Sequence, residues 1–328
     1  MTVSVPGAAA PLPLSVLQSR RPTPLARLGL TGLYLPKGPA CDATDATAWD
    51  AALEALADLA RRTRAATVTV EPPGWGEQTG ALRSRLAGVG WSEVATVQPA
   101  HTTIVDLAGG FEAVLARMRP KGRYNVRLAG RRGVEVERVD DLERAASVLA
   151  DLCAATAARQ DIHQPDAAFL RMVLAAVPTA GIHIASVAGE PVAGALMAHF
   201  GREAIYLYGG SIERYRDRQP SALLHASIME AAVAAGCDTY DLWGIPPAEE
   251  PAHPWYGLRQ FKLSLGGKEC HAAGAWRRVC RPAAARAGGI LDDVRRHVRR
   301  LPARRRRPAV ERDGHGDRTG APTSQGGE

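Results

Sequence analysis

The sequence predicts a mixed α/β protein built from two similar units in tandem, and three observations carry that prediction. Segments with apolar residues at helical spacing alternate with short β-branched runs, the pattern of helices packed on sheets. The chain has 328 residues, long enough for about two domains with cores of their own. The order of elements over residues 25–139 then returns, in fuller form, in the second half.

Taken in order, residues 1–24 are rich in Ala, Pro and Leu without clear periodicity and read as a loose lead-in with at most a partial strand. Trp49, Leu53, Leu56 and Leu59 recur at helical spacing and predict a helix over 46–64. Alternation over 65–71 predicts a strand, stopped by Pro72-Pro73. A helix over 80–87 leads into two β-branched runs, 91–97 and 102–107, separated at Pro99. Helices follow over 111–118 and 120–131; Pro120 is tolerated in a first turn, and Gly133 ends the second helix. A strand at 134–139 and an Ala-rich helix over 140–158 bridge into the second unit. There the pattern gives a helix at 167–176, then a hairpin joining 182–187 to 192–199 around Gly189-Glu190. A strand at 204–208, a helix at 221–235, a strand at 239–243, a helix at 255–265 and a closing strand at 270–276 complete it. This is the order of an acyltransferase fold of the GNAT type. The expected division is a lead-in at 1–24, a first GNAT-like domain at 25–148, a second at 149–280, and a basic amphipathic helix with a disordered Arg-rich tail at 281–328.

Composition narrows the setting. The five cysteines form no C-x-x-C pair and nothing at the N-terminus reads as a secretory leader, so a reducing cytoplasmic location is expected. No apolar run reaches the roughly 18 residues of a membrane span. The net charge is +7, but residues from Arg281 onward carry 12 Arg against 6 Asp plus Glu, so the body is nearly neutral. Leu291, Val294, Val298 and Leu301 form an apolar stripe flanked by arginines, which suits either anionic lipid or RNA phosphate, or a cap on the second domain.

Of the 41 Lys plus Arg residues only four are lysines: Lys37, Lys121, Lys262 and Lys268. An ammonium approaches one oxygen as a point charge, which a forked guanidinium cannot do, so these four are candidates for chemistry. Arg119, Arg123, Arg127 and Arg131 fall at i, i+4, i+8 and i+12, one cationic stripe on a helix. With Lys121, Arg132 and the Asn125 amide they are a candidate phosphate reader, the alternative being a solvated or carboxylate-paired helix face. Tyr206 and Tyr208, two apart on a strand, are expected to share a face, and Gly209-Gly210-Ser211 turns the strand end toward a cleft. Asp241 is placed to accept a proton from an attacking amine or to cap the following loop. Trp255 and Tyr256 lead into a helix carrying Phe261 and Lys262. No metal site is expected: no histidine pair has metal spacing, and Cys270 and His271 point to opposite faces of their strand.

These segments resemble the Fem family of tRNA-dependent aminoacyl transferases, which build peptidoglycan cross-bridges. The resemblance rests on Pro36-Lys37-Gly38-Pro39, Glu71-Pro72-Pro73, Val97 to Thr102, Met118 to Ala129, Tyr208 to Ser211, Tyr240 to Gly244, and Gly257 through Phe261-Lys262 to Gly267. It implies two tandem GNAT-like domains, with aminoacyl-tRNA as co-substrate and no other cofactor. It also implies an acceptor amine on the stem peptide of a UDP-linked or lipid-linked peptidoglycan precursor. Lys262 and Phe261, with Asp241, would lie at the transfer site. Lys37, Lys121, Arg123, Asn125, Arg127, Tyr206, Tyr208, Ser211, Trp255 and Tyr256 would contact substrates. Only 35 residues precede Pro36, so either a first domain shortened at its N-terminus or a sequence that starts late is expected, and the coiled-coil arm of longer members is missing after Ala176. The protein would work in the cytoplasm or at the inner face of the membrane, held there by the basic tail.

Two rival readings stay open at this level. An acetyl-CoA-dependent N-acetyltransferase would share the fold, but wants a glycine-bearing pyrophosphate loop where this chain has Arg214 to Ala222 without glycine. A non-catalytic RNA- or membrane-binding module would rest on the arginine stripe and the tail alone.

Overall fold

The computed structural model describes residues 2–4, 13–19, 30–39, 41–42, 44–74, 78–160 and 164–288. The basic amphipathic helix expected at 291–301 and the Arg-rich tail lie outside the described residues.

Short strands β1 (Thr2–Ser4) and β2 (Pro13–Ser15) pair with each other. A five-stranded sheet follows the order β3 (Leu17–Gln18), β4 (Gly32–Leu35), β5 (Thr67–Val70), β14 (Ala275–Val279), β6 (Ser92–Val94). Helices α1 (Ala46–Thr63) and α2 (Gln78–Gly88) pack on it. Helix α1 starts where the Asp45 carboxylate accepts the Ala48 N–H at 2.9 Å and stops where Arg64 turns left-handed at φ 53°. Its apolar stripe, centred on the fully buried Trp49 and Leu56, meets Val68, Val70 and Trp276 of the sheet.

The second sheet has seven strands, in the order β13 (Lys268–His271), β7 (His101–Asp106), β12 (Thr239–Gly244), β11 (Glu203–Ser211), β10 (Glu190–Phe200), β9 (Gly181–Val187), β8 (Val134–Arg138). On one face lie α3 (Phe111–Arg117), α4 (Pro120–Arg131) and α7 (Pro220–Ala234), packed on Ala193, Ala195 and Met197. On the other lie α5 (Leu142–Gln160) and α6 (Ala167–Ala176), packed on Ile182, Leu196 and Ala198. Helix α8 (Tyr256–Ser264) joins β12 to β13. The β9–β10 hairpin closes through Ala188 and Gly189, both at positive φ, as a two-residue turn matched to strand twist requires.

The mixed α/β class holds, but the sheets do not follow the expected boundaries at 148 and 149. Strands β7 and β8, with α3 and α4 between them, belong to the second sheet, and the closing segment returns to the first. The single strand expected at 270–276 is two: Gly274, at φ 84°, ends one course, β13 staying with β7 while β14 crosses to β5 and β6. Strand pairing is decided by partners far apart in sequence, which local periodicity does not carry. The described residues up to Ala285 accordingly form one compact unit.

Candidate active site

Strands β11 and β12 run parallel but pair only over Glu203–Ile205 with Thr239–Asp241, and then part. The gap between them opens as a cleft lined by Tyr206 and Tyr208 on one side and Trp243 and Gly244 on the other, with Lys262 in its wall. Three glycines allow the walls to close in. A Cβ on Gly210 would collide with the Leu152 carbonyl of α5, and one on Gly209 with the Tyr206 hydroxyl. Gly122 of α4 lies against the Ser264 carbonyl at the end of α8, where Arg119 N–H also donates to Ser264 O at 3.1 Å.

Tyr206 and Tyr208 do not share a face as the alternation predicts. Leu196 opposes Tyr208 while Met197 opposes Tyr206, so Leu207 is an extra residue in β11, a bulge that flips the strand's later side chains. Tyr206 turns toward α7 and packs edge-on against His225 at 5.0 Å; Tyr208 turns toward α6 and meets Phe169 at 5.6 Å. Both rings still border the cleft.

Lys262 is 3% exposed. Its Nζ donates to Gly244 O at 2.8 Å and to Trp243 O at 3.3 Å, with the Tyr206 ring 5.7 Å away. Burial pushes its pKa down from 10.5 to about 8, opposed in part by the charge of Asp241. An ammonium carries three N–H donors, so two backbone carbonyls leave one for an oxygen in the cleft. Phe261 borders the same cleft and packs beside His225 at 5.7 Å. His225 is a group that the sequence reading passed over. It sits at the cleft wall with Nδ1 3.0 Å from the Tyr240 hydroxyl, and burial, with Lys262 nearby, lowers its pKa to about 3, so the imidazole is neutral. The signal was present: His225 is the one imidazole in a helix otherwise buried through Ala222, Leu224, Ala226, Ile228 and Met229.

Asp241 sits elsewhere than at an open reaction centre. Its carboxylate is fully buried, accepts the Thr102 hydroxyl and the Trp243 N–H (2.8 Å), and lies 3.4 Å from Lys37 Nζ. These partners make it the cap of a strained turn, because Trp243 is held at φ 67°. The turn is the one that presents the two carbonyls to Lys262. Lys37 is likewise committed: it pairs with Asp241, stacks 4.8 Å over the Trp243 ring and borders a small cavity with Glu71 and Glu203 rather than the main cleft. The buried Glu71 accepts Val97 N–H (2.6 Å), Gln98 N–H (3.0 Å) and the Tyr34 hydroxyl (3.1 Å), fixing the 96–99 segment that forms the cleft's near rim.

The cationic stripe divides. Lys121 and Asn125, one turn apart on α4, face the cleft together with Arg119. Arg123 does not: it donates to Met118 O (2.6 Å) and Ala116 O (2.7 Å), capping the C-terminus of α3. Arg127 is exposed away from the cleft lining, two turns along the helix from Arg119, its N-cap residue. Ser211 borders the cleft with its backbone anchored by Thr156 and Arg159 of α5, N–H to Thr156 Oγ1 at 2.9 Å and O from Arg159 at 2.7 Å. Trp255 borders it too, 41% exposed, whereas Tyr256 starts α8 half-buried outside the lining. The N-terminus of α7 carries no glycine nest; Gln219 at φ 57° and Pro220 open the helix after a 3-10 turn at Arg216–Arg218.

Comparison with known proteins agrees with this architecture. Residues 116–255 match an acetyltransferase (GNAT) domain. A segment of 78 residues is 35% identical to a lipid II:glycine glycyltransferase of Staphylococcus epidermidis, over 24% of this chain and 19% of that protein. The match thus spans about a fifth of the curated relative's length. The crystal structure of FemX superposes with a TM-score of 0.77 at 18% identity, over 88% of this chain and 89% of that one. The C-terminal domain of a putative lysylphosphatidylglycerol synthetase from Agrobacterium fabrum gives 0.54 at 16% identity, over 89% and 87%. The Fem resemblance read from the motifs is borne out, and the fold is the one that FemX adopts.

Proposed function

We propose that this chain is an aminoacyl transferase of the Fem type, moving an amino acid from the ester of an aminoacyl-tRNA to an amine of a peptidoglycan precursor. The observation that carries the reading is Lys262, a buried ammonium at the parting of β11 and β12 with two of its donors fixed by backbone carbonyls. The incoming amine attacks the ester carbonyl carbon, the C–N bond forms, and the C–O bond to the ribose breaks. The amine loses one proton and the released hydroxyl gains one, so the step is proton-neutral overall. The remaining N–H of Lys262 faces the oxygen on which negative charge develops, a contribution of about 3 kcal/mol, or roughly a hundredfold in rate. Tyr206, Phe261 and the neutral His225 wall that oxygen from water and sharpen the electrostatic effect.

Lys121, Arg119 and Asn125 at the cleft rim suit phosphates, of the tRNA 3′ end or of a UDP- or lipid-linked precursor. The glycyltransferase relative favours a lipid II-type acceptor, and with it work at the inner face of the membrane. Among the described residues no helix is long and apolar enough to cross a membrane. The glycine-free start of α7 disfavours acetyl-CoA, whose pyrophosphate needs close backbone approach. The test is to incubate the purified protein with a mixture of charged tRNAs and either precursor and to weigh the acceptor. A gain of one amino-acid residue is expected; no such gain, with an acetyl gain when acetyl-CoA is supplied, refutes the reading.

A further inference from the structure

At the end of the seven-stranded sheet, β13 pairs with β7 so that His271 stands directly opposite His101. Glu269, two residues before His271, projects from the same face of β13. The three side chains converge: Glu269 Oε1 is 3.4 Å from His101 Nδ1 and 3.7 Å from His271 Nε2, and the three ligand atoms all lie within 4.8 Å of one another. A tetrahedral ion with metal–ligand bonds of ~2.1 Å separates its ligands by about 3.4 Å, so the two edges from Glu269 are already close to the spacing a bound ion would set. The two imidazole rings are 4.5 Å apart and tilted by 59°, not stacked.

Two further observations point to a ligand. The His101 Nδ1 atom is buried and faces Glu269 Oε1 at 3.4 Å, too poorly directed for a full hydrogen bond. A buried ring nitrogen left so is costly unless something else binds it. The other carboxylate oxygen of Glu269 accepts Arg259 Nη2 at 2.6 Å, and Arg259, itself 6% exposed, is held on its far side by Pro246 O. That contact fixes the carboxylate with Oε1 aimed between the imidazoles, as outer partners orient metal ligands.

From this convergence we infer that His101, Glu269 and His271 form a binding site for one divalent transition-metal ion of the Zn2+ class, in a three-ligand arrangement with a further position open to the cleft. Two imidazole nitrogens and one carboxylate oxygen suit Zn2+ and disfavour Mg2+ or Ca2+, which take oxygen ligands. The charge of Arg259 opposes that of the ion, so micromolar rather than tighter binding is expected. The ion would clip the edge strand β13 to β7 just before the chain crosses into the five-stranded sheet. His101 also borders the cleft, so a bound ion would sit at its rim. The inference is independent of aminoacyl transfer and is tested without it.

The experiment uses the full chain, freed of metal with a chelator and dialysed. Zn2+ is titrated against a chromophoric competitor, and Co2+ is followed by its visible d–d absorption. One equivalent is expected, with the intense bands of four-coordinate Co2+ and a raised Tm on Zn2+ addition. His271 is 63% exposed, so His271→Ala should keep the fold, checked by circular dichroism, while losing the Co2+ bands and weakening Zn2+ at least about tenfold. Glu269→Gln should weaken Zn2+ likewise. No saturable binding to the unmodified chain, or the same stoichiometry, affinity and Co2+ spectrum in His271→Ala, overturns the site and assigns any bound ion to other histidines.

Discussion

Lys262 offers a test in which activity and stability move in opposite directions with pH. Burial lowers its ammonium from 10.5 to about 8. At about 1.4 kcal/mol per tenfold change in proton affinity, keeping it charged at neutral pH costs the folded state about 3 kcal/mol. Between pH 8 and 10.5 the unfolded chain still binds that proton and the folded chain does not, so stability rises with pH across this window. Relative to Lys262→Met, whose side chain has similar length and no charge, the native protein should therefore gain about 3 kcal/mol from pH 8 to 10.5 in urea unfolding. Transfer should show the reverse. If the ammonium stabilises the developing oxyanion, kcat/KM of the native protein over that of Lys262→Met is roughly 100 at pH 7. It should fall about tenfold per pH unit above 8, because only the charged fraction works. Taking the ratio to Lys262→Met cancels titration of the acceptor amine. A ratio flat from pH 7 to 9.5 would refute the electrostatic role, and a flat stability difference would refute the buried charge.

Gly122→Ala should cost about 1–3 kcal/mol and depress transfer, since the backbone carbonyl of Ser264 cannot yield. Gly130→Ala on the same helix, with open space around it, should instead be neutral or stabilising by up to about 1 kcal/mol in the same unfolding assay. Asp241→Asn should lower stability by roughly 1–3 kcal/mol through loss of the Lys37 pair, discounted because Lys37 is partly exposed. Lys121→Ala should raise KM for the phosphate-bearing substrate, and more so at low salt, whereas Arg127→Ala, off the cleft, should leave steady-state kinetics nearly unchanged.

What was legible in the sequence follows the range over which each feature is decided. Helices declared themselves through local spacing and caps, so α1, α4 and α7 lie within a residue or two of their predicted limits. The β9–β10 hairpin was legible for the same reason, its turn residues lying between its strands. The exchange of β7 and β14 between sheets was not, because β14 finds β5 some 200 residues away, with Trp276 opposite Val70. The bulge at Leu207 carries no Gly or Pro to announce it, and so simple alternation places the tyrosine pair on one face. At the site, Phe261-Lys262 was legible as a motif, while His225 and the convergence of His101 with Glu269 and His271 depend on three-dimensional pairing.

The scarcity of lysine acquires a physical reason from where two of the four residues stand. Lys262 and Lys37 both meet several acceptors of one short turn at once: Lys262 the carbonyls of Trp243 and Gly244, Lys37 the carboxylate of Asp241 and the face of Trp243. A guanidinium directs its donors outward in one plane and is half again as bulky at its tip, so it cannot point three ways into such a turn. The two lysines both hold this turn, one reaching from the loop after β4 and the other from α8. Lys262 is the buried ammonium in the cleft wall, so removing Lys37 should loosen the turn and raise KM and lower kcat together, whereas removing Lys262 should lower kcat most. Arginine, by contrast, serves where one planar fork suffices: Arg123 on the end of α3, Arg259 on Glu269, Arg132 on Asp217. In this chain the choice between the two cations marks whether a charge must converge on a point or lie along an edge.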